Sequence, residues 1–532
     1  MLSYPGSILL LIFRTLPGNL TRFAILIISI GLSSYTFCQT APTIQWQKSL
    51  GGSLNDHVNY GLQTTDGGYI MVGGTSSNDG DITGYHGGTD CWVVKVDLNG
   101  IIQWQRSYGG SSYDDGFFIQ QTADGGYIIA AESASLDGDA TGNHGSDDFW
   151  VIKINAVGNI QWQKTYGGST GDVATCIRQT TDGGYIVAGY SLSNDGDVNG
   201  NHGLDDFWII KIDPAGNLQW QKAFGGSNYD LANSIRQTPD GGYIAYGQTR
   251  SNNGDVTGFH GSYDYWVIKL NSSGNLQWQK ALGGSNLDNP TTISLTNDGG
   301  YIMTGQSNST DGDVTGNHGN DDAWVIKMDI NGNIQWKKCF GGPGVDPGMD
   351  IQQLSDGKYI MLCHSTSSSG DASSNHGQWD YWFLQMDING TILWEKSYGG
   401  SLNDIALAAQ KTTDNGYVLF GYSKSNDGDV SNNHGVEDFW VVKLNPSVIT
   451  ATVDLSYLNL ISLFPNPTDG RVEVLNTNNH RLYYSIYNMA GEMIKEESEL
   501  IHYVDISSYS SGLYLIQIRS NKTIRGITII KN

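Results

Sequence analysis

Between residues 43 and 445, apolar and polar side chains alternate in short runs, and the runs return at a fixed interval. The copy at 174–226 shows the pattern. Residues 174–180 read as a first strand, which turns through Thr181-Asp182-Gly183-Gly184, an Asp-Gly hairpin signal in which glycine supplies a positive φ. Residues 185–190 are an apolar run with the small Ala188 and Gly189, suited to a crowded inner strand. In 207–212, Trp208, Ile210 and Ile212 fall on one face, and Phe207, Ile209 and Lys211 on the other. After a turn at 213–217, Leu218, Trp220 and Lys222 alternate with Gln219 and Gln221. The glutamines point to an outermost strand with a wetted face.

Two tryptophan series carry the period. Trp46, Trp104, Trp162, Trp220, Trp278, Trp336 and Trp394 form one; Trp92, Trp150, Trp208, Trp266, Trp324, Trp382 and Trp440 form the other. Every step is 58 residues, with no insertion. Four antiparallel strands repeated seven times predict an all-β, seven-bladed β-propeller with four-stranded blades. The period exceeds the usual propeller repeat because of one long loop, at about 191–205 in the third copy. The region enters on a fourth strand (43–48) and leaves after a third (438–444). The N-terminal strand therefore closes the last blade and removes a bare sheet edge. A β-solenoid is the competing architecture, but its unit is a coil of single strands and has no use for this offset.

Composition and charge narrow the function. Gly numbers 70, Trp 15 and Tyr 29, as expected of short strands joined by tight turns. A formal net charge of −24 argues against nucleic acid and anionic membrane surfaces. It suits calcium, neutral glycans or an extracellular setting. Residues 1–38 read as a signal peptide: Arg14 and Arg22 precede an apolar run at 23–32, and cleavage is expected after Cys38. That run is too short to span a bilayer, so no transmembrane helix is expected in the mature protein. Cys91, Cys176, Cys339 and Cys363 fall at different registers of different repeats, which predicts free, buried thiols rather than a disulfide framework.

The order of an inner strand, a Gly-ended strand, an aromatic strand and a Trp strand resembles kelch-type blades, and more closely the Gly- and Asp-rich propeller repeats of secreted bacterial proteins. After residue 445 the texture changes: 446–458 reads as a linker and 459–532 as a small β-sandwich of short strands between Pro, Gly and Ser turns. The segments LFPNPTDGRVEV, YSIYNMAGEMI and VDISSYSSGLYLIQI, with the terminal Lys531, resemble the C-terminal sorting domain (type A) of type IX secretion in Bacteroidetes. The resemblance implies the type IX secretion machinery as a partner. It also implies transport across the outer membrane and a secreted or surface-anchored product.

The candidate chemistry is repeated. A blade-to-blade aspartate (Asp56, Asp114, Asp172, Asp230, Asp288, Asp346, Asp404) and a loop histidine (His86, His144, His202, His260, His318, His376, His434) are expected on one loop face, as candidates for contacting a ligand. Calcium is the candidate ion. Hard oxygen ligands would come from Asp79, Asp81 and Asp90, and in other copies from Asp137, Asp139 and Asp148; Asp195, Asp197 and Asp206; Asp311, Asp313 and Asp322; and Asp427, Asp429 and Asp438. Asn253 and Ser369 replace the first aspartate in two copies. The alternative is that these aspartates cap turns by accepting backbone N–H bonds. Each histidine is expected to bond a backbone carbonyl, and the Trp rows to form blade core. Seven near-identical blades supply no distinct acid, base or nucleophile. Blade six departs most, at Pro343, Pro347, Lys358, Cys363, His364 and Gln385. The reading is a secreted or surface-anchored module that binds a glycan or protein. A propeller hydrolase or lyase acting on extracellular polysaccharide is the alternative.

Overall fold

The computed structural model describes residues 36–447, 449–452, 461–464, 466, 468–476, 482–488, 492–500, 503–519 and 524–532. The predicted signal peptide falls almost wholly outside these residues, as does most of the predicted linker. The chain forms two compact units, one spanning 38–450 and the other containing 451–532.

The larger unit is a β-propeller of seven sheets, each built on four antiparallel strands; in blade five the two-residue strand Val345–Asp346 adds a short parallel pairing to the third strand. Blade three is typical: Asp172–Gln179, Tyr185–Ser191, Asp206–Ile212 and Leu218–Phe224 pair in sequence order. The seventh blade takes its outer strand from the other end of the region. Ile44–Leu50 pairs antiparallel with Asp438–Leu444, which places Ser49 opposite Trp440. Main-chain hydrogen bonds thus close the ring.

From the aspartate of its Asp-x-Trp onward the third strand of every blade is buried, and Trp208 and its six counterparts are fully buried. Most pack against the aromatic residue beside the equivalent tryptophan of the preceding blade, as Trp208 does with Phe149, ring centres 4.4 Å apart. The outer-strand glutamines do more than face water. Gln221 Oε1 accepts the Trp208 indole N–H at 3.0 Å, and Gln219 Oε1 accepts from the Lys211 ammonium at 3.2 Å. A buried indole and a buried amine each need a partner, and the outer strand supplies it. Cys91, Cys176, Cys339 and Cys363 are buried and unpaired.

The smaller unit pairs Ile461–Phe464, Arg471–Asn476 and Tyr503–Asp505 in one sheet. Met493–Leu500, Leu482–Asn488, Gly512–Arg519 and Ile524–Lys531 form a second. Val472, Ile486, Val504, Ile516 and Ile529 fill the space between them.

Candidate functional site

The repeated aspartates and histidines meet at the joints between blades; the aspartates that open the first and third strands are buried, whereas all seven loop histidines are exposed. Asp172 opens the first strand of blade three. Its carboxylate accepts from Gly168 N at 2.8 Å, Ser193 Oγ at 2.9 Å and Ser191 Oγ. All seven members of this series are fully buried, so none of them presents its carboxylate to a ligand on the loop face. Burial is the physical reason for that correction. Each carboxylate ties its own strand start to the long loop.

Asp206, at the start of the third strand, is buried as well. Its Oδ2 accepts His202 N at 2.9 Å and pairs with His202 Nδ1 at 2.6 Å. The histidine partner is therefore a carboxylate, not the backbone carbonyl expected from sequence, and the pair recurs in every blade down to His434–Asp438. The other oxygen, Oδ1, is buried with no partner. It faces the next blade across Gly225, where an added Cβ would lie 2.4 Å from Asp206 Oδ1 and 2.7 Å from Asp230 Oδ2. Only glycine fits between the two carboxylates. Burial pushes the Asp206 carboxyl up to about 6, against the pull of its His202 hydrogen bonds, and the charge of Asp230 adds to the rise.

The calcium sets do not assemble. Asp195 is exposed and accepts Ser169 N at 2.7 Å, a bond that holds its carboxyl below the ordinary range. One oxygen of Asp206 is bonded to His202, and in the next blade the carboxylate equivalent to that of Asp197, on Asp255, accepts Gly225 N at 3.3 Å. Among the described residues, no group of three or more His, Cys, Asp or Glu is placed to hold a metal. The substitutions agree with turn capping. Asn253 accepts Ser227 N at 2.9 Å, the same bond with a neutral acceptor. Ser369 occurs where the donor position is Pro343, which has no N–H to give. Acceptor and donor disappear together.

The asymmetry lies on the axis. First-strand residues of all seven blades line one cavity of about 460 Å³. At one lining position the blades carry, in order, Tyr60, Phe118, Cys176, Ser234, Thr292, Asp350 and Ala408, while the third strands read Asp-x-Trp in every copy. Two residues further along, adjacent blades three and four carry Arg178 and Arg236. Arg236 lines the cavity, and its Nη1 donates to Ile235 O at 3.0 Å and Ser234 Oγ at 3.1 Å. The Arg178 guanidinium stacks on the Phe118 ring at 4.1 Å, and its Nε is buried without a partner. Asp350 is the one carboxylate in the lining; its Oδ2 accepts Ala409 N at 3.1 Å, and burial raises its pKa.

A second unrepeated group joins the first strands of blades one and two. His57 Nε2 pairs with Asp115 Oδ2 at 3.0 Å, and Tyr113 Oη donates to the same oxygen at 3.2 Å. Burial works against the His57 charge, but Asp115 outweighs it and raises the pKa. Glu132 is pushed up to about 8 by burial and by the charges of Asp115 and Asp147.

In the smaller unit, Lys531 is almost fully buried, and its ammonium donates to Ser507 O at 2.7 Å and to Tyr509 O. The last strand is thereby pinned to the 505–511 turn. Residues 462–532 match the family model of the secretion system C-terminal sorting domain. The sorting domain supports secretion or cell-surface display, with the secretion machinery as its partner. Among the described residues no helix is long and apolar enough to cross a membrane.

Over 204 residues the chain is 26% identical to the regulatory protein FlaEY of Caulobacter vibrioides, a match covering 35% of this chain and 21% of that protein. It thus spans about a fifth of that curated relative. Among solved structures, the Neurospora crassa Pan2 WD40 domain is 11% identical with a TM-score of 0.42, covering 76% of this chain and 97% of that one. A puromycin hydrolase is 10% identical with a TM-score of 0.43, covering 87% and 62% respectively. The propeller assignment stands on the sheet order and the ring closure.

The channel leaves no trace among the residues present in every copy of the repeat. The signal that would have found it is the reverse: positions where an otherwise strict repeat changes from blade to blade.

Proposed function

We propose that this chain is a secreted or surface-anchored binding module whose axial channel, and not its repeated loop face, receives the ligand, with a glycan as the ligand class. Variation among the blades carries the reading. The Asp-x-Trp of the third strand repeats unchanged, whereas the channel lining brings together groups that differ in polarity and charge, among them Arg236, Asp350 and Asn233. Size at the lining register of the first strands is shared with the paired second-strand residue, from Tyr60 opposite Val72 to Ala408 opposite Phe420, but the charge of Asp350 opposite Leu362 has no such packing counterpart, and specificity requires differences of that kind. The lining holds a single carboxylate, so it lacks the acid pair that polysaccharide hydrolysis would use. The sorting-domain match supports an exported module, and export by a type IX route as in Bacteroidetes would bring it to extracellular glycans.

A glycan array probed with the full chain and with Leu407→Trp tests this. Leu407 lines the cavity and is only partly buried, so the indole fills the channel. Array signals should be lost in the variant while its melting midpoint is kept. Signals that survive the filled channel would move the binding site elsewhere.

A further inference from the structure

Two guanidinium groups gather at the channel of a strongly acidic protein, Arg236 in the lining and Arg178 close enough for its charge to act on Arg236. Arg178 and Arg236 come from adjacent blades, and burial followed by the Arg178 charge lowers the Arg236 pKa. Two guanidinium groups so placed repel each other, and one carboxylate, Asp350, offsets only one of them. The chain as a whole carries a formal net charge of −24, so a cationic cavity is no by-product of composition. Like charges held together in a water-poor site are relieved by an anion between or beside them.

Two further atoms describe what else the ligand must offer. Arg178 Nε is a buried donor with no acceptor, and Asn233 Oδ1, in the lining, is a buried acceptor with no donor. Buried polar atoms without partners are rare in folded proteins and each asks for an explanation. A ligand that supplies an acceptor to the guanidinium and a donor to the amide answers both. An inorganic anion without hydrogens answers only the first. A carboxylate on a hydroxylated ring answers both, because a planar guanidinium takes a carboxylate in two parallel bonds. Neutral polar groups nearby, Gln248 and Thr292, suit the remaining hydroxyls. The volume of about 460 Å³ lies in the range that encloses small ligands.

We infer that the axial channel binds a hexuronic acid residue of an acidic glycan, with its carboxylate on Arg236 and Arg178 and a hydroxyl donating to Asn233. The inference rests on the channel being the binding site, as proposed above.

Calorimetric titration of the full chain with digalacturonate, neutral galactobiose and sodium sulfate tests it. Digalacturonate should bind saturably and more tightly than galactobiose by at least tenfold, with sulfate weaker still. Arg236→Gln should weaken digalacturonate at least tenfold, and Asp350→Asn should tighten it, since one opposing charge is removed. Leu407→Trp, which leaves both arginines in place, should abolish binding, and it keeps the test valid if Arg236→Gln fails to fold. Equal binding of galactobiose that Leu407→Trp abolishes would overturn the acidic-sugar inference and leave the channel reading standing. Sulfate competing as well as digalacturonate would overturn the sugar. Digalacturonate binding that survives Leu407→Trp would overturn the channel reading itself, and no saturable binding of digalacturonate would overturn the uronate inference.

Discussion

Blade six and its six neighbours solve the same packing problem in two ways. In blade three the hairpin reads Thr180-Thr181-Asp182-Gly183-Gly184, and the third strand carries Lys211, only 3% exposed. The ammonium reaches over Gly184 to Asp182 Oδ2 at 2.9 Å; a Cβ at Gly184 would sit 2.6 Å from the nitrogen. In blade six the lysine has moved. Position 385 is Gln, whose Nε2 donates to Tyr417 Oη at 3.1 Å, and Lys358 stands in the hairpin and pairs with Asp356 Oδ2 at 3.0 Å. A side chain enters the hairpin where the ammonium has left. Glycine and buried lysine are therefore one unit, and repeated polar residues at the blade edges serve the fold.

The largest effect should come from breaking that unit on its costly side. Asp182→Ala leaves the Lys211 charge buried with only neutral partners, and the loss should be about 3 kcal/mol, the scale of a buried ion stripped of its partner. Lys211→Gln copies blade six and leaves an exposed aspartate, so it should cost about 1 kcal/mol. Denaturant melts of the two variants give the order directly. Equal losses would mean that the ammonium is not the group that needs its partner.

The blade joints allow a test of opposite sign. Asp206 is pushed up to about 6 from an ordinary 3.8, and Asp90, Asp172, Asp288, Asp404 and Asp438 likewise reach about 6. A carboxyl raised by folding adds stability in its protonated form. That contribution is full below about pH 4 and is lost as the pH rises through about 6. The propeller should therefore melt higher at pH 5 than at pH 7.5. Asp206→Asn puts an amide donor where Oδ1 now faces Asp230, so it should raise the unfolding free energy at pH 7.5 by up to about 2 kcal/mol and leave it nearly unchanged at pH 4. A cation held between the two carboxylates predicts the reverse, with a lowered midpoint in the variant and sensitivity to chelator in the wild type.

The same contrast explains what the sequence disclosed. Trp208 and its counterparts announced blade, period and closure because burying a large ring admits few substitutes, so the series never breaks. Asp206 and His202 recur as strictly, and Asp195 in five copies of seven, but recurrence does not say whether a carboxylate faces water, a proton or a backbone N–H. Their roles needed the partners: Ser169 N for the first, and each other for the second pair. Arg178, Arg236 and Asp350 were hidden for a different reason. A position that lines the axial cavity need not repeat to build a blade and so leaves no periodic trace, and only the ring brings residues from distant repeats to one axis.

The smallest expected effect completes the comparison. Between blades, a first-strand glutamine accepts a hairpin N–H of its neighbour: Gln121 from Thr65 at 2.9 Å, Gln237 from Thr181 at 2.9 Å, Gln353 from Asn297 at 2.7 Å. Between blades four and five the donor position is Pro239 and the acceptor position is Leu295. Proline has no N–H, so a glutamine there would gain nothing. Leu295→Gln alone should leave stability unchanged or slightly lower. Pro239→Thr with Leu295→Gln should restore the bond and add about 1 kcal/mol, the net worth of one hydrogen bond. The double variant must exceed the sum of the singles. Simple additivity in a double-mutant cycle would show that leucine and proline reached this joint independently, and that the missing donor does not account for the missing acceptor.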